Sequence, residues 1–141
     1  MDDTLKDLVE KCEKLGSTGK RNITETSCEL IFSGKERTHL NEFFSDVFGP
    51  AIKPTGRKPA AYEKCITGNY GGITAYQKLF IKKTGDFTVI AIFRPWRFDT
   101  HITVTLALIA NSEIEKNMRS PVFAFNKLLD HVISKFKRGF L

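Results

Sequence analysis

The chain has 141 residues, 41% of them hydrophobic, and a formal net charge of +6. This length suits one domain, and no stretch approaches the roughly 20 apolar residues that a membrane-spanning helix needs. The acidic, amphipathic N-terminus differs from a secretory signal, and the three cysteines form no CxxC pair. We therefore predict a cytoplasmic protein with free thiols and no membrane partner, folded as one domain over residues 1–141.

A helix is predicted over residues 3–15. Its apolar residues recur at helical spacing and so share one face. They are Leu5, Leu8, Val9, Cys12 and Leu15. A short strand follows near residues 27–32, where apolar side chains occupy alternate positions. Cys12 and Cys28 are in register with these apolar neighbours and are predicted to be buried, whereas Cys65 lies in a predicted loop.

Ser33 and Glu36 match a capping box, in which each side chain bonds a free amide at the start of a helix. The apolar side of that helix comprises Leu40, Phe43, Phe44, Val47 and Phe48. Gly49 and Pro50 are a strong signal for its end. The segment 50–71 that follows has no period and contains three prolines, three glycines and four basic residues. Loops of this length in compact domains are usually functional or disordered.

Three runs of β-branched and aromatic residues cover 72–83, 87–94 and 102–110. The turn segments 84–86 and 95–99 separate them. Runs of strand length divided by turn residues are typical of consecutive antiparallel strands. This part of the sequence therefore predicts a three-stranded meander at the centre of the fold.

Ser112 and Glu115 repeat the capping pattern and predict one or two helical turns. A final helix is predicted to begin after Ser120, with Pro121 at its first position. Its apolar stripe comprises Val122, Phe125, Leu129, Val132 and Phe136. We expect the last four of these to be buried against the sheet, so that Leu129→Ala would cost about 2–5 kcal/mol.

Strands grouped together with helices outside them are typical of the α+β class. We predict a two-layer domain with a four-stranded antiparallel sheet, made of the early strand and the meander. The N-terminal and C-terminal helices are predicted to cover one face of this sheet.

The sequence carries no recognisable signature of a metal site or of catalysis. Its histidines, His39, His101 and His131, lie far apart, and HExxH and CxxC motifs are absent. It also lacks a Gly-x-Ser-x-Gly elbow and any Cys–His pair at a known spacing. We therefore predict no metal and no cofactor, and we favour a non-catalytic protein. Because scattered residues can form a site in three dimensions, an enzyme with a dispersed site stays as a third hypothesis.

Positive charge is concentrated in residues 50–99, which hold nine Lys or Arg against three acidic residues. An excess of this kind favours an anionic partner, although it also serves solubility. The loop 50–71 and the turn 94–99 are predicted to form the mouth of a pocket at the open end of the sheet. The candidate ligand- or partner-binding residues are Lys53, Arg57, Lys58, Tyr70, Arg94, Trp96 and Arg97.

Two kinds of binding protein agree with this pattern. The first hypothesis is a binding domain that holds a protein or a small anionic ligand at the loop-lined mouth. The second is a module for single-stranded nucleic acid, because aromatic and basic residues alternate in the segment 93–98. Trp96 is interpreted as a hydrophobic lid in the first hypothesis and as a stacking platform in the second.

Overall fold

The computed structural model describes residues 2–139, with side chains up to residue 135. Within this range the helices are α1 (Asp3–Glu13), α2 (Arg37–Phe48), α3 (Ala61–Thr67), α4 (Asn111–Met118) and α5 (Pro121–Gly139). The strands are β1 (Gly19–Arg21), β2 (Ser27–Ser33), β3 (Lys78–Thr84), β4 (Phe87–Pro95) and β5 (His101–Ala110). Short 3-10 helices cover Gly34–Glu36, Gly68–Tyr70 and Arg97–Asp99.

The described strands form one antiparallel sheet in the order β1-β2-β5-β4-β3. The predicted meander is confirmed, because β3 pairs with β4 and β4 pairs with β5. The early strand β2 pairs with β5, which brings residues far apart in sequence together. The predicted number of four strands is wrong, because β1 adds a fifth at the edge of β2. A strand of three residues is too short to show an alternating pattern.

The larger apolar cluster lies on one face of the sheet, where α1 and α2 pack against β2, β4 and β5. Leu5 and Leu40 are fully buried there, which confirms that the apolar faces of the first two helices are turned to the core. Cys12 and Cys28 are also fully buried, as predicted. Phe44 stands at the centre of an aromatic group, with its ring 4.9 Å from that of Phe93.

A second apolar cluster lies on the opposite face. Ile66 of α3 and Ile114 of α4 pack there against side chains of β3, β4 and β5, among them Ile90 and Ile92. Helices therefore lie on both faces of the sheet, and the prediction that the terminal helices together cover one face is wrong.

The C-terminal helix α5 does not pack against the sheet. Phe125, Leu129 and Val132 are 60%, 38% and 52% exposed, so their predicted burial is wrong. The side chain of Phe136, predicted to be buried with them, lies outside the described residues. α5 instead contacts α3 and α4, the two helices that pack on the second face of the sheet. Helical periodicity shows that a face is apolar, but it does not show which surface covers it.

The segment 50–71 is more ordered than its sequence suggested. It contains α3 and the 3-10 helix Gly68–Tyr70. The Glu63 carboxylate accepts a hydrogen bond from the Ala60 amide at 2.9 Å and so caps the start of α3. A helix of seven residues is too short to show a helical period, and this explains why the sequence predicted a loop.

The buried thiols provide a test of this packing. Burial raises the pKa of the Cys12 thiol to about 12, and it also raises the pKa of Cys28. We expect a thiol reagent to label the native protein at Cys65, which is half-buried, well before it labels Cys12 or Cys28. Mass spectrometry of timed aliquots would measure this order, and early labelling of Cys12 would contradict the docking of α1.

The Cys12 thiol is expected to make the free energy of unfolding depend on pH in the alkaline range. The folded state raises the Cys12 pKa above its unfolded value of 9.0, so it favours the protonated thiol. This contribution is complete below pH 9 and is lost as pH rises towards 12, by about 1.4 kcal/mol per pH unit. We expect the Cys12→Ala variant to show a flatter decline over that range in urea unfolding experiments. An identical decline in both proteins would show that other groups cause it.

Candidate functional site

The second face of the sheet has one half that the apolar cluster does not cover. That cluster contains residues of β3, β4 and β5 but, within the described chain, none of β1 or β2. The half of this face that the cluster leaves uncovered carries polar side chains. Glu29 of β2 stands directly opposite Thr105 of β5, and Arg94 of β4 stands opposite Thr103. Directly opposite residues project from the same side of a sheet, so these four side chains share one surface.

Arg94 connects this surface to the segment after α3. Its Nη1 donates to the Thr105 hydroxyl at 2.6 Å, and its Nη2 donates to the carbonyls of Tyr70 and Gly72. Burial lowers the pKa of Arg94, while the neighbouring carboxylate of Glu29 acts in the opposite direction. A guanidinium has five N–H donors and stays charged in proteins. The hydrogen bonds to described residues use three of them, so two N–H groups remain for a ligand.

Glu29 is the acidic group of this surface, and two neighbours hold its carboxylate. Arg21 Nε and Asn22 Nδ2 each donate to Glu29 Oε2 at 2.9 Å. The Arg21 charge offsets that of Glu29, so the uncompensated charge of the surface belongs to Arg94. The surface as a whole therefore favours an anion over a cation.

These side chains surround a cavity of about 470 Å³, which we call the polar basin. Its lining residues are Asn22, Thr24, Ser27, Glu29, Asn69, Tyr70, Gly71, Arg94 and Thr105. Burial raises the pKa of the Tyr70 hydroxyl, although a hydrogen bond with Thr26 acts in the opposite direction. The hydroxyl is therefore protonated at neutral pH and can donate to a ligand.

Trp96 lies beside the polar basin, two residues beyond Arg94. Its indole Nε1 donates to the Thr103 hydroxyl at 2.8 Å, and its ring lies 4.6 Å from that of His101. The side chain is 39% exposed, so one part is fixed against the sheet while another part faces solvent. This placement agrees with either predicted role of Trp96.

The turn between β4 and β5 exposes a second aromatic residue. Phe98 is 88% exposed and has a φ of 63°, a left-handed conformation that is uncommon for a bulky residue. The surrounding structure holds the turn in place. Arg37 Nη2 donates to Asp99 Oδ1 at 2.9 Å, and a Cβ at Gly34 would come within 1.9 Å of the Asp99 carbonyl oxygen. The turn therefore presents Phe98 and the exposed Arg97 on a fixed backbone.

The structure does not bring all the predicted site residues to one mouth. Tyr70 and Arg94 line the polar basin, and Trp96 lies beside it. Arg97 is in the neighbouring turn. Arg57 and Lys58 line a different cavity, between the segment 56–60 and α5.

Lys53 and Arg57 have structural partners that the sequence did not reveal. Lys53 is fully buried, and its ammonium donates to the carbonyls of Pro54, Ala75 and Gln77 at 2.7–3.0 Å. This burial lowers its pKa. Arg57 Nη2 donates to Glu63 Oε2 at 2.8 Å and to a backbone carbonyl. Lys53 therefore does not contribute to an accessible basic surface, and Arg57 contributes less than an unpaired cation would.

Sequence reasoning missed Glu29, Ser27 and Thr105 as site residues. One signal was present: Glu29 occupies the position between two buried apolar residues of β2 and so faces the opposite side of the sheet. A polar residue at such a position is usually solvated, and only the pairing of β2 with β5 places it near Arg94.

Two other features, a metal-binding cluster and a membrane-spanning helix, are absent from the described residues. The described part of the chain contains no group of three His, Cys, Asp or Glu side chains that could hold a metal ion. Among the described helices, none combines the length and apolar character that crossing a membrane requires. Comparison with protein-family models, curated proteins and solved structures finds no match to this chain.

Proposed function

We propose that the protein is a small, basic, cytoplasmic, non-catalytic binding domain, formed by the whole chain, that holds a small anionic ligand in the polar basin. Arg94 carries this proposal, because it is a partly buried cation with two N–H groups left for a ligand. A desolvated guanidinium binds carboxylate and phosphate oxygens more strongly than a fully hydrated one. Tyr70 and Asn69 add donors at the rim of the same cavity.

Trp96 offers a direct test, because it is the only tryptophan of the chain and lies beside the basin. Its fluorescence is to be followed while inorganic phosphate, succinate and a nucleoside monophosphate are added separately. We expect at least one of these anions to change the emission with saturation. No response to any of them would contradict the proposal.

Two variants assign the response to the basin. Arg94→Gln should weaken anion binding at least tenfold, which corresponds to about 1.4 kcal/mol. Because that change also affects the Tyr70–Gly72 carbonyls, Glu29→Gln provides an independent test. It preserves the acceptor for Arg21 but removes a negative charge, so anion affinity should rise several-fold.

Arg119→Ala, at an exposed arginine outside the basin, is the matched control. Arg97→Ala tests whether the 94–99 turn contributes to anion binding. Weaker binding by Glu29→Gln would contradict an anion site.

A second candidate function is the binding of single-stranded nucleic acid, and the exposed turn favours it. Phe98 is 88% exposed, Trp96 is 39% exposed, and Arg97 lies between them. Exposed aromatic rings next to a cation can stack bases and contact phosphates. We expect a labelled oligothymidine to bind more tightly at about 50 mM than at about 200 mM salt, and Phe98→Ala to weaken it. No binding at the lower salt concentration would exclude this candidate.

A further inference from the structure

The longest described helix leaves most of its apolar residues in solvent. Six apolar side chains of α5 are 38–70% exposed. They are Val122, Phe125, Leu128, Leu129, Val132 and Ile133. The side of α5 that contacts the rest of the protein is a different one, and Asp130 fixes it there by accepting a hydrogen bond from the Ala61 amide at 2.6 Å. The apolar face is therefore outside the packed interior. Soluble proteins rarely leave a contiguous patch of this kind uncovered unless it binds a partner.

The spacing of these residues indicates the shape of that partner. Val122, Phe125, Leu129 and Val132 follow one another at intervals of three, four and three residues. This is the repeat that lets one helix insert side chains between those of another. A helix is therefore the secondary structure that fits this face.

A groove runs beside the apolar face. It has a volume of about 910 Å³ and lies between α5 and the segment 56–60. Leu129 and Ile133 line it from the side of α5, and Pro59 and Ala60 line it from the other side. An amphipathic helix can place its own apolar residues in a groove of this kind.

The side chains that line the groove carry more positive than negative charge. Lys58 and Lys64 line it, and among the described residues no ion pair involves either lysine. Arg57 also lines it, but Glu63 offsets its charge. Asp130 is the acidic residue of the lining, and it keeps its charge because its partner, the Ala61 amide, is neutral. The two lysines outnumber this carboxylate, so the lining has a net positive charge.

We propose that α5 and this groove bind an acidic amphipathic helix of a partner protein. A second copy of the chain does not fit, because the sequence of α5 holds four basic residues against one acidic residue, and two α5 helices would bring like charges together. The acidic helix α1 does not fit either, because Leu5, Leu8, Val9 and Cys12 of its apolar face are buried in the core of its own molecule. An anionic membrane shares the charge preference, but a flat surface does not fill the groove.

A displayed peptide library tests the choice of partner without a prior guess of its sequence. Peptides of about 18 residues, or five helical turns, carry Leu, Ile or Val at the heptad core positions and either Glu or Lys at random elsewhere. We expect selection on the full-length protein to enrich Glu at the positions that flank the core. Enrichment of Lys, or no enrichment of either residue, would overturn the proposal.

Variants test whether the peptide binds to the apolar face of α5 and to the groove. For the best acidic peptide, Phe125→Ser and the double change Lys58→Glu with Lys64→Glu should each weaken binding at least tenfold. Tyr76→Ser, at a side chain that is 77% exposed outside the groove, and Lys35→Glu are the matched controls and should change it less than twofold. Circular dichroism should show the same melting curve for all variants. Unchanged peptide affinity in both Phe125→Ser, on the apolar face of α5, and the double lysine variant of the groove would overturn the proposal.

Two further measurements exclude the other occupants. Analytical ultracentrifugation should find a monomer, and vesicles containing anionic lipid should not retain the protein. Self-association or vesicle binding that Phe125→Ser abolishes would overturn the proposal in favour of that occupant. The fluorescence titration of the basin is a separate measurement, so failure at one site leaves the other proposal standing.

Discussion

Replacement of Phe44 by alanine is expected to lower the free energy of unfolding by about 3–5 kcal/mol. Phe44 is fully buried, and its ring lies 4.9–5.8 Å from those of Phe43, Phe48, Phe80 and Phe93. The change removes these contacts and leaves a cavity that neighbouring side chains from α2, β3 and β4 fill only in part. Urea unfolding followed by circular dichroism would measure the loss.

Leu129→Ala is the matched control for this result. The sequence alone predicted a loss of about 2–5 kcal/mol at this position, as for a buried leucine. Since Leu129 is 38% exposed on α5, we now expect a loss of less than about 1 kcal/mol. Equal losses for Phe44→Ala and Leu129→Ala would show that α5 packs into the core after all.

The second large effect is expected at Lys53. Lys53→Met keeps the apolar stem but removes the ammonium, which bonds the carbonyls of Pro54, Ala75 and Gln77. Hydrogen bonds to a charged donor contribute more than neutral ones, and partly buried carbonyls without a partner are unfavourable. We expect a loss of about 2–4 kcal/mol in the free energy of unfolding, measured again by urea titration.

Lys58→Met separates this effect from the general removal of a positive charge. Lys58 lies in the same segment but is exposed and has no ion pair among the described residues. Its substitution should change stability by no more than about 0.5 kcal/mol. If both variants lost the same stability, the three carbonyl bonds of Lys53 would not be the cause.

The candidate site could be predicted only in part. Tyr70, Arg94 and Trp96, which lie in or beside the polar basin, were predicted because aromatic and basic residues in turns are frequent in binding sites. Lys53 was predicted to be accessible, since a lysine in a loop is usually solvated. Its burial depends on three carbonyls, two of which come from the segment just before β3. Contacts between residues more than 20 positions apart cannot be read from the local sequence.

The sequence by itself determined the elements that have a long, regular apolar pattern. The positions of α1, α2, β4 and β5 followed from it, because side-chain direction repeats with the geometry of each backbone. The short elements β1 and α3 did not, because three and seven residues span too few repeats.

Only the tertiary structure decided which faces are covered and which polar groups meet. The apolar pattern of α5 resembles that of α1, yet the apolar face of α1 packs on the sheet, whereas α5 contacts α3 and α4 and leaves its apolar face exposed. In the same way, Glu29 and Arg94 share one surface only because β2 pairs with β5, a strand far from it in sequence. Burial and proximity depend on the competition among all elements for a limited core, and no local segment of the chain records its outcome.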